Sequence, residues 1–485
     1  MEKTALYRRY VSVREITGYT LFDASRKFAN IGYDSRFLYD VYRINLNYIQ
    51  IASVINGIWD VVNDTFTGIL VDRTRTRWGK FRPYLGVSRI ALVGMSIFKY
   101  LSPFFLPESV DAPSKFVVFL GMSLVSEAFN TFSGIAETGL FAAMSPSPDD
   151  RVLLKSRASQ LSSIIDNLPG ILTGLLMDMV NHKVLKFSLG TLFATFGSAM
   201  ALISIGMVLY YVLVSKERVA PSVELPNIRA GLTAIWRNKP MRVLLLADLS
   251  KVFILDTGRD NYFIDVLGYT SLQTVLEVPN IPISLTSYAF IPFFRRNFSL
   301  RARWVFIEHF ERLLDILVFF FGISDGTGSN GRYTDWRKML PALILRDTIF
   351  KFQLGLRYVT PVELLNEALD YCEWQDGTRA EGMILASKSL ATKIVTNAFS
   401  WVSTTLLKKI GYTVGTAFGQ QGARVKYMLF VSSFLLPGVT GLVSVIPKLF
   451  YRIDDETRTR MYTELNERRR QAVERENAHT VEVLV

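Results

Sequence analysis

The sequence predicts an all-α membrane protein, and three observations support that prediction. Hydrophobic residues make up 49% of the 485 residues, and apolar runs approaching or exceeding 18 residues recur along the whole chain. The segments between these runs are rich in Arg and Lys, so the net charge of +12 fits basic cytoplasmic loops better than nucleic-acid binding. A single cysteine, Cys372, and three scattered histidines exclude a disulfide framework and a cysteine or histidine metal centre.

Twelve membrane spans are predicted, and the basic loops follow the even-numbered spans. The positive-inside rule therefore places both termini in the cytoplasm, and the polar residues 1–19 do not form a cleavable signal peptide. The linker 215–242 separates an N-terminal half (1–214) from a C-terminal half (243–450), and a charged cytoplasmic tail follows (451–485). The predicted spans are 17–40, 46–71, 84–104, 115–145, 158–180, 187–214, 243–267, 273–294, 304–323, 338–356, 382–408 and 425–449.

Two carboxylates interrupt the second span. Asp60 and Asp64 are four residues apart, so on a helix they share one face. Each costs about 2.5–3.5 kcal/mol near mid-membrane on insertion scales, and two neighbouring carboxylates repel each other, which favours a bound cation or proton. The alternative is a pair solvated inside a polar bundle with no ion.

The residues around this pair resemble a known signature. Trp59-Asp-x-x-Asn63-Asp64, then Gly68, and then the basic run 72–84 are similar to the motif of the glycoside–pentoside–hexuronide:cation symporters, the melibiose-permease branch of the major facilitator superfamily. Residues 370–382 resemble the second signature of that family, which is expected to form a cytoplasmic loop. The resemblance implies twelve helices in two six-helix halves, and it implies that Asp60 and Asp64 bind sodium or a proton with Asn63 lining the site.

The same resemblance implies substrate-binding residues. Glu137 and Phe141 match a family pattern in the fourth span, where a carboxylate accepts hydrogen bonds from sugar hydroxyls and an aromatic ring packs on the C–H face of the sugar. Asp23, Lys27 and Arg157 are further candidates. The alternatives are an internal ion pair for Asp23 and Lys27, a lysine partner on a neighbouring helix for Glu137, and ordinary packing for Phe141.

Lysines and acids also interrupt the C-terminal half. Lys393 in the eleventh span matches a family lysine that completes a charge network with the second-span aspartates, although it could instead extend to the cytoplasmic surface with Lys388. In the seventh span, Asp248 and Lys251 have the spacing of a helical pair, and so do Asp256 and Asp260. Matched polar interruptions in spans one and seven indicate a central cavity, or charge pairing between helices without substrate.

The predicted function is symport of a sugar or glycoside with sodium or a proton by alternating access. The expected partners are that sugar and membrane lipid, without nucleic acid, in a monomer of the plasma membrane. No cofactor and no metal beyond a sodium ion at Asp60 and Asp64 is expected, and the chain shows no nucleophile–base set typical of an enzyme. The alternatives are a transporter of lipids or other amphiphiles on the same fold, and a non-transporting sugar sensor.

Overall fold

The computed structural model describes residues 10–73, 76–145, 150, 154–155, 157–158, 165, 167–218, 228–326, 331–376, 381–451, 453 and 455–484. These residues form helices, turns and loops, with one isolated bridge between Thr76 and Gly79, which agrees with the all-α prediction. The longer helices are α1 (Val13–Ala29), α2 (Leu46–Arg73), α3 (Arg82–Leu101), α4 (Pro113–Met144), α5 (Leu168–Asn181), α6 (Ser198–Val214), α7 (Ile228–Arg237), α8 (Lys239–Ser250), α9 (Arg259–Asp265), α10 (Leu300–Ile323), α11 (Trp336–Phe352), α12 (Leu354–Asp376), α13 (Glu381–Phe399), α14 (Val402–Ile410), α15 (Ala423–Ser433) and α16 (Asp455–Leu484). Shorter helical segments are Asp34–Arg36, Phe37–Tyr42, Ser102–Phe104, Leu189–Leu192, Phe193–Gly197, Lys251–Phe253, Leu272–Glu277, Val278–Asn280, Ile281–Thr286, Ser287–Phe290, Ile291–Asn297, Arg332–Thr334, Leu435–Gly441, Leu442–Ser444 and Val445–Leu449.

Four helical stretches of the described residues are long and apolar enough to cross a membrane by length and composition. They are Arg82–Phe104, Pro113–Phe141, Leu189–Val214 and Ala423–Leu449, and they correspond to predicted spans three, four, six and twelve. Among the described residues, the remaining predicted spans are shorter, more charged or interrupted, and residues 159–164 and 166 of the fifth predicted span lie outside the described part of the chain. Hydropathy alone therefore identifies only part of the membrane-spanning structure, because charged helices can cross a membrane only where protein or water covers them.

Several predicted spans are interrupted, for identifiable reasons. The first helix ends at Ala29, and Gly32 and Tyr33 beyond it have positive φ angles of 83° and 57°. The seventh span is broken between Phe253 and Arg259, so the prediction that Asp256 and Asp260 share a continuous helical face is wrong. The eighth span is divided into short segments, because prolines 279, 282 and 292 each remove a backbone N–H donor from the helix.

Contacts divide the chain into two compact units. Unit 1 comprises Met1–Glu224, Thr257–Val275 and Ser400–Leu429, and unit 2 comprises Leu225–Asp256, Leu276–Phe399 and Phe430–Val485. The predicted division into sequence halves joined by residues 215–242 stays a prediction.

In unit 1, α1 packs along α6, and α4 packs against both α2 and α3. The contact between α1 and α6 is close, because a Cβ atom on Gly18 would lie 2.7 Å from Cγ2 of Val214. Beside it, the rings of Tyr19, Phe22 and Tyr211 pack together in a buried aromatic core. This packing fixes the faces of α1 and α4 that carry the predicted substrate-binding residues.

The basic run after the second span leads directly into the start of α3. Gly79 has a φ of 107°, and a Cβ atom there would lie 2.4 Å from Oε1 of Glu217. The Glu217 carboxylate accepts the backbone N–H groups of residues 80–82 at 2.8, 2.9 and 3.0 Å, where an anion also complements the helix dipole. This part of the first signature therefore positions the start of α3.

In unit 2, α7 packs on α13, and the charged tail forms α16, which packs against α12. The tail is held by buried Met461 and Leu465, and the indole Nε1 of Trp374 donates to Glu464 at 2.7 Å. The second signature was expected to be a loop, but its residues 370–376 are the last turns of α12. Residues 377–380 of the signature lie outside the described residues.

Candidate functional site

The predicted cation-binding residues lie on one polar face of α2. Asp60 and Asn63 are buried, and Asp64 is half-buried. The Oδ1 atom of Asp64 accepts a hydrogen bond from Oγ1 of Thr131 on α4 at 3.1 Å, and Thr67 Oγ1 donates to Asn63 Oδ1 at 3.2 Å. Carboxylate, amide and hydroxyl oxygens of this kind suit a hard cation. Among the described residues, no group of three or more His, Cys, Asp or Glu side chains is arranged to hold a metal ion, so any ion here relies on neutral oxygens as well.

A second polar contact fixes the register of α2 against α4. One helical turn before Asp60, the side-chain amide of Asn56 and the hydroxyl of Ser123 exchange hydrogen bonds of 3.0 and 3.1 Å. Ser123 and Thr131 are eight residues apart, and Glu127 lies midway between them at the level of Asp60. Glu127 was not among the predicted residues, although its spacing of four from both Ser123 and Thr131 places it on the same helical face.

The substrate candidates of α1 and α4 come together in a charged cluster. Glu137 lies 3.4 Å from Arg26 and 3.5 Å from Arg89, and Arg26 also pairs with Asp23. The aromatic ring of Phe141 packs 5.3 Å, centroid to centroid, from Tyr19. The partners of Glu137 are arginines rather than the lysine considered in the sequence analysis.

Two basic residues that contact the acids of this cluster, Arg89 and Lys155, were not predicted as site residues. Arg89 on α3 is mostly buried, with 13% of its side chain exposed, and its Nε has no hydrogen-bond acceptor among the described residues. Lys155 lies 3.8 Å from Asp23. Both are distant in sequence from their partners, so only the packing of the helices reveals the contacts.

Two predicted substrate residues lie away from this cluster. Lys27 and Arg157 are exposed, and in the described part of the chain neither makes a hydrogen bond or ion pair with Asp23 or Glu137. The helical spacing allowed Asp23 to pair with Arg26 or Lys27, and the structure pairs it with Arg26. A substrate role for Lys27 and Arg157 stays a prediction without a supporting contact.

Unit 1 also contains a buried charge network around Arg36. Its side chain is 1% exposed, and its guanidinium contacts Asp265 at 2.6 and 3.2 Å and Asp40 at 2.8 Å. Asn261 and the hydroxyl of Tyr412 lie 3.3 and 2.9 Å from the same guanidinium. The network thus joins the segment after α1 to α9 and to the segment after α14.

Unit 2 carries its own charged residues. Lys251 Nζ pairs with Asp248 at 2.8 Å, as the spacing of three predicted, and lies 3.6 Å from Glu308. Lys388 also pairs with Asp248, so it does not simply extend to a surface. Lys393 lines a cavity beside α13 in this unit, and its pairing with the second-span aspartates stays a prediction.

Comparisons with known proteins identify the family. Residues 18–455 match the sequence model of the MFS/sugar transport protein family. The isoprimeverose transporter of Lactiplantibacillus pentosus is 23% identical over 93% of this chain and 91% of its own length. The glucuronide carrier protein homolog of Escherichia coli (strain K12) is 23% identical over 95% of this chain and 97% of its own length. The solved D-xylose-proton symporter has a TM-score of 0.52 at 12% identity, covering 92% of this chain and 97% of its own, which shows the shared major-facilitator fold. The chain therefore belongs to the MFS/sugar transport protein family, and it is a multi-pass membrane transporter rather than an enzyme.

Proposed function

We propose that this protein is a symporter that moves a sugar or glycoside together with sodium or a proton. The observation that carries the proposal is that one helix, α4, serves both predicted sites. Thr131 donates to Asp64 on the cation side, and Glu137, six residues later, belongs to the charged cluster. Six residues along a helix correspond to about 9 Å, so the two sites are neighbours on one rigid element.

The cluster on α1, α3 and α4 has the chemistry of a sugar site. The carboxylates of Asp23 and Glu137 can accept hydrogen bonds from sugar hydroxyls, while the buried Nε of Arg89 offers a donor that a hydroxyl oxygen would satisfy. An orphaned buried donor is costly unless it is met by water or a ligand. The neighbouring Tyr19 and Phe141 rings add apolar faces for the C–H surface of a sugar.

Coupling follows from the shared helix. A cation that binds between the Asp60 and Asp64 carboxylates reduces their repulsion and stabilises one position of α2 against α4, and this favours the sugar-binding arrangement of Glu137. Linkage is reciprocal, so the sugar tightens cation binding by the same factor. In alternating access, the filled site is then exposed to the opposite side of the membrane. We place the protein in the plasma membrane as a monomer with both termini in the cytoplasm, and it requires no cofactor.

The test is uptake of a panel of labelled glycosides into vesicles that contain the purified protein. Imposed sodium and proton gradients are compared with vesicles in which an ionophore has dissipated the gradient. Accumulation above the equilibrium level with one of the two gradients supports symport and identifies the ion. Binding of a glycoside without accumulation under either gradient would contradict the proposal and favour a sensor.

A further inference from the structure

The helix in the linker between the two predicted halves, α7, is docked on unit 2 by one face. Ile235 is 1% exposed in the apolar core of that unit. Gly231, four residues earlier, lies so close to α13 that a Cβ atom there would be 2.6 Å from the backbone oxygen of Met383. Just beyond the helix, the side-chain amide of Asn238 donates to the backbone oxygen of Ala368 on α12 at 2.9 Å. These contacts fix which face of α7 is turned away from unit 2.

A neighbouring face of α7 exposes large apolar side chains. Leu232 and Trp236 are four residues apart on the helix, and they are 42% and 64% exposed. Each directly follows a docked residue, so with about 100° between successive residues the exposed apolar face lies beside the docked one. An exposed indole next to membrane-spanning segments is typical of the membrane–water interface, where its ring contacts acyl chains and its N–H remains hydrated.

Four basic side chains accompany this apolar pair, and no acidic residue lies among them. The basic residues are Arg229, Arg237, Lys239 and Arg242, and the guanidinium of Arg242 lies 5.6 Å from the centre of the Trp236 ring. Residues 225–247 contain no Asp or Glu. The next acid along the chain, Asp248, is already paired with Lys251 and Lys388. The exposed side of α7 is therefore both apolar and strongly basic.

We propose that α7 is a membrane-surface helix whose exposed side binds the headgroups of anionic phospholipids in the cytoplasmic leaflet. Leu232 and Trp236 enter the boundary between headgroups and acyl chains, as the apolar faces of interfacial helices do. The exposed guanidinium groups of Arg229 and Arg237 contact lipid phosphates, because a basic segment beside membrane-spanning helices is attracted to a negatively charged leaflet.

Charge complementarity favours this lipid over other occupants of the same surface. A neutral phospholipid would cover the apolar pair but would leave the basic side chains without a counter-charge. A second copy of the chain, related by a two-fold axis, would place the same four positive charges opposite each other. The surface contains none of the residues assigned to the cation or the sugar, so its lipid binding is independent of the proposed symport.

A fluorophore on α7 tests for lipid contact directly. Thr233→Cys, at an exposed position of the helix, is labelled with a thiol-reactive fluorophore in the purified full-length protein. Native Cys372 is 2% exposed, and unmodified protein treated with the same reagent gives the background. The labelled protein is placed in nanodiscs of phosphatidylcholine that contain a minor fraction of either phosphatidylglycerol or phosphatidylcholine with the same spin-labelled acyl chain. Because a spin label quenches only at short range, the ratio of the two quenching values measures the preference of this surface for the anionic lipid.

Phosphatidylglycerol should quench the fluorophore several-fold more than phosphatidylcholine at low salt, and this preference should decrease as salt screens the charges. Arg229→Gln combined with Arg237→Gln should lower the preference by about fivefold for each charge removed. Lys186→Gln, at an exposed loop lysine of unit 1, should leave it unchanged.

A second variant separates the apolar contribution from the charge. Trp236→Gln keeps all four basic side chains, so quenching by both lipids should decrease while the preference for phosphatidylglycerol remains. A folding defect would not produce these two different responses, and all the substituted side chains are exposed.

Three outcomes would overturn the inference. Equal quenching by the two lipids in the otherwise unmodified protein would exclude an anionic-lipid surface. A preference that survives the loss of Arg229 and Arg237 would assign the lipid to other basic side chains. Absence of quenching by both lipids would show that α7 does not contact the bilayer, and self-quenching between two labelled copies in one nanodisc would then identify a second copy as the occupant.

Discussion

Replacing Asp265 by Asn tests whether the Arg36 network is a main source of stability in unit 1. Asp265 is 4% exposed and contacts, at 2.6 and 3.2 Å, a guanidinium that is itself 1% exposed. Removing one partner of a buried ion pair costs about 3–5 kcal/mol. Because Asp40 still contacts Arg36 at 2.8 Å and Asn keeps one acceptor, we expect a loss near the lower limit, about 3 kcal/mol of the free energy of unfolding.

The assay is equilibrium denaturation of the purified protein in detergent, with Asp34→Asn as the matched control. Asp34 pairs with Lys99 in the same region, but their side chains are 44% and 27% exposed, so its loss should cost less than about 1 kcal/mol. Comparable small losses in both variants would refute the view that the Arg36 network stabilises unit 1. Tyr412→Phe removes two hydrogen bonds, one accepted from Arg36 at 2.9 Å and one donated to Asp265 at 3.1 Å, and should give an intermediate loss of about 1–2 kcal/mol.

Three further predictions concern single side chains. Glu137→Gln should weaken sugar binding by about 1.5–3 kcal/mol, and an unchanged dissociation constant would assign Glu137 to pairing with arginines alone. Glu127→Gln should raise the cation concentration needed for half-maximal sugar binding without changing sugar affinity at saturating cation, and equal cation dependence would remove Glu127 from the site. Trp374→Phe should make the tail 455–484 more sensitive to protease. Hydrogen bonds from Arg460 and Trp374 hold the pKa of Glu464 below its ordinary value. The Trp374–Glu464 contact should therefore stabilise tail docking above the ordinary glutamate pKa and weaken as the pH falls through the lowered pKa of Glu464. Tail cleavage that does not depend on pH would contradict this.

Local spacing predicted which of these side chains lie close together. Asp60, Asn63 and Asp64 are on one face of α2 because their separations are set by the helix itself, and Asp248 and Lys251 pair for the same reason. Glu137 and Phe141 were identified through family resemblance, and the structure surrounds both with polar or aromatic partners. Features set by a single helix, or shared with related sequences, were therefore accessible.

Contacts between distant segments were not accessible from the sequence. Arg89 meets Glu137 only because α3 packs on α4 in one register, and Arg36 meets Asp265 across 229 residues of sequence. The interruptions of the first and seventh spans also escaped the analysis, because apolar runs do not show where a glycine takes a positive φ angle, as Gly32 and Gly258 do.

We propose that Asp60 and Asp64 couple a cation gradient to sugar movement, and this role can be tested by measuring accumulation and exchange separately. Vesicles containing the unmodified protein, Asp60→Asn, Asp64→Asn or the control Asp34→Asn are assayed for accumulation under the effective gradient and for sugar exchange without a gradient. We predict that both second-span variants lose accumulation but retain exchange, and that Asp34→Asn retains both. Normal gradient-driven accumulation in Asp60→Asn and Asp64→Asn would contradict the account.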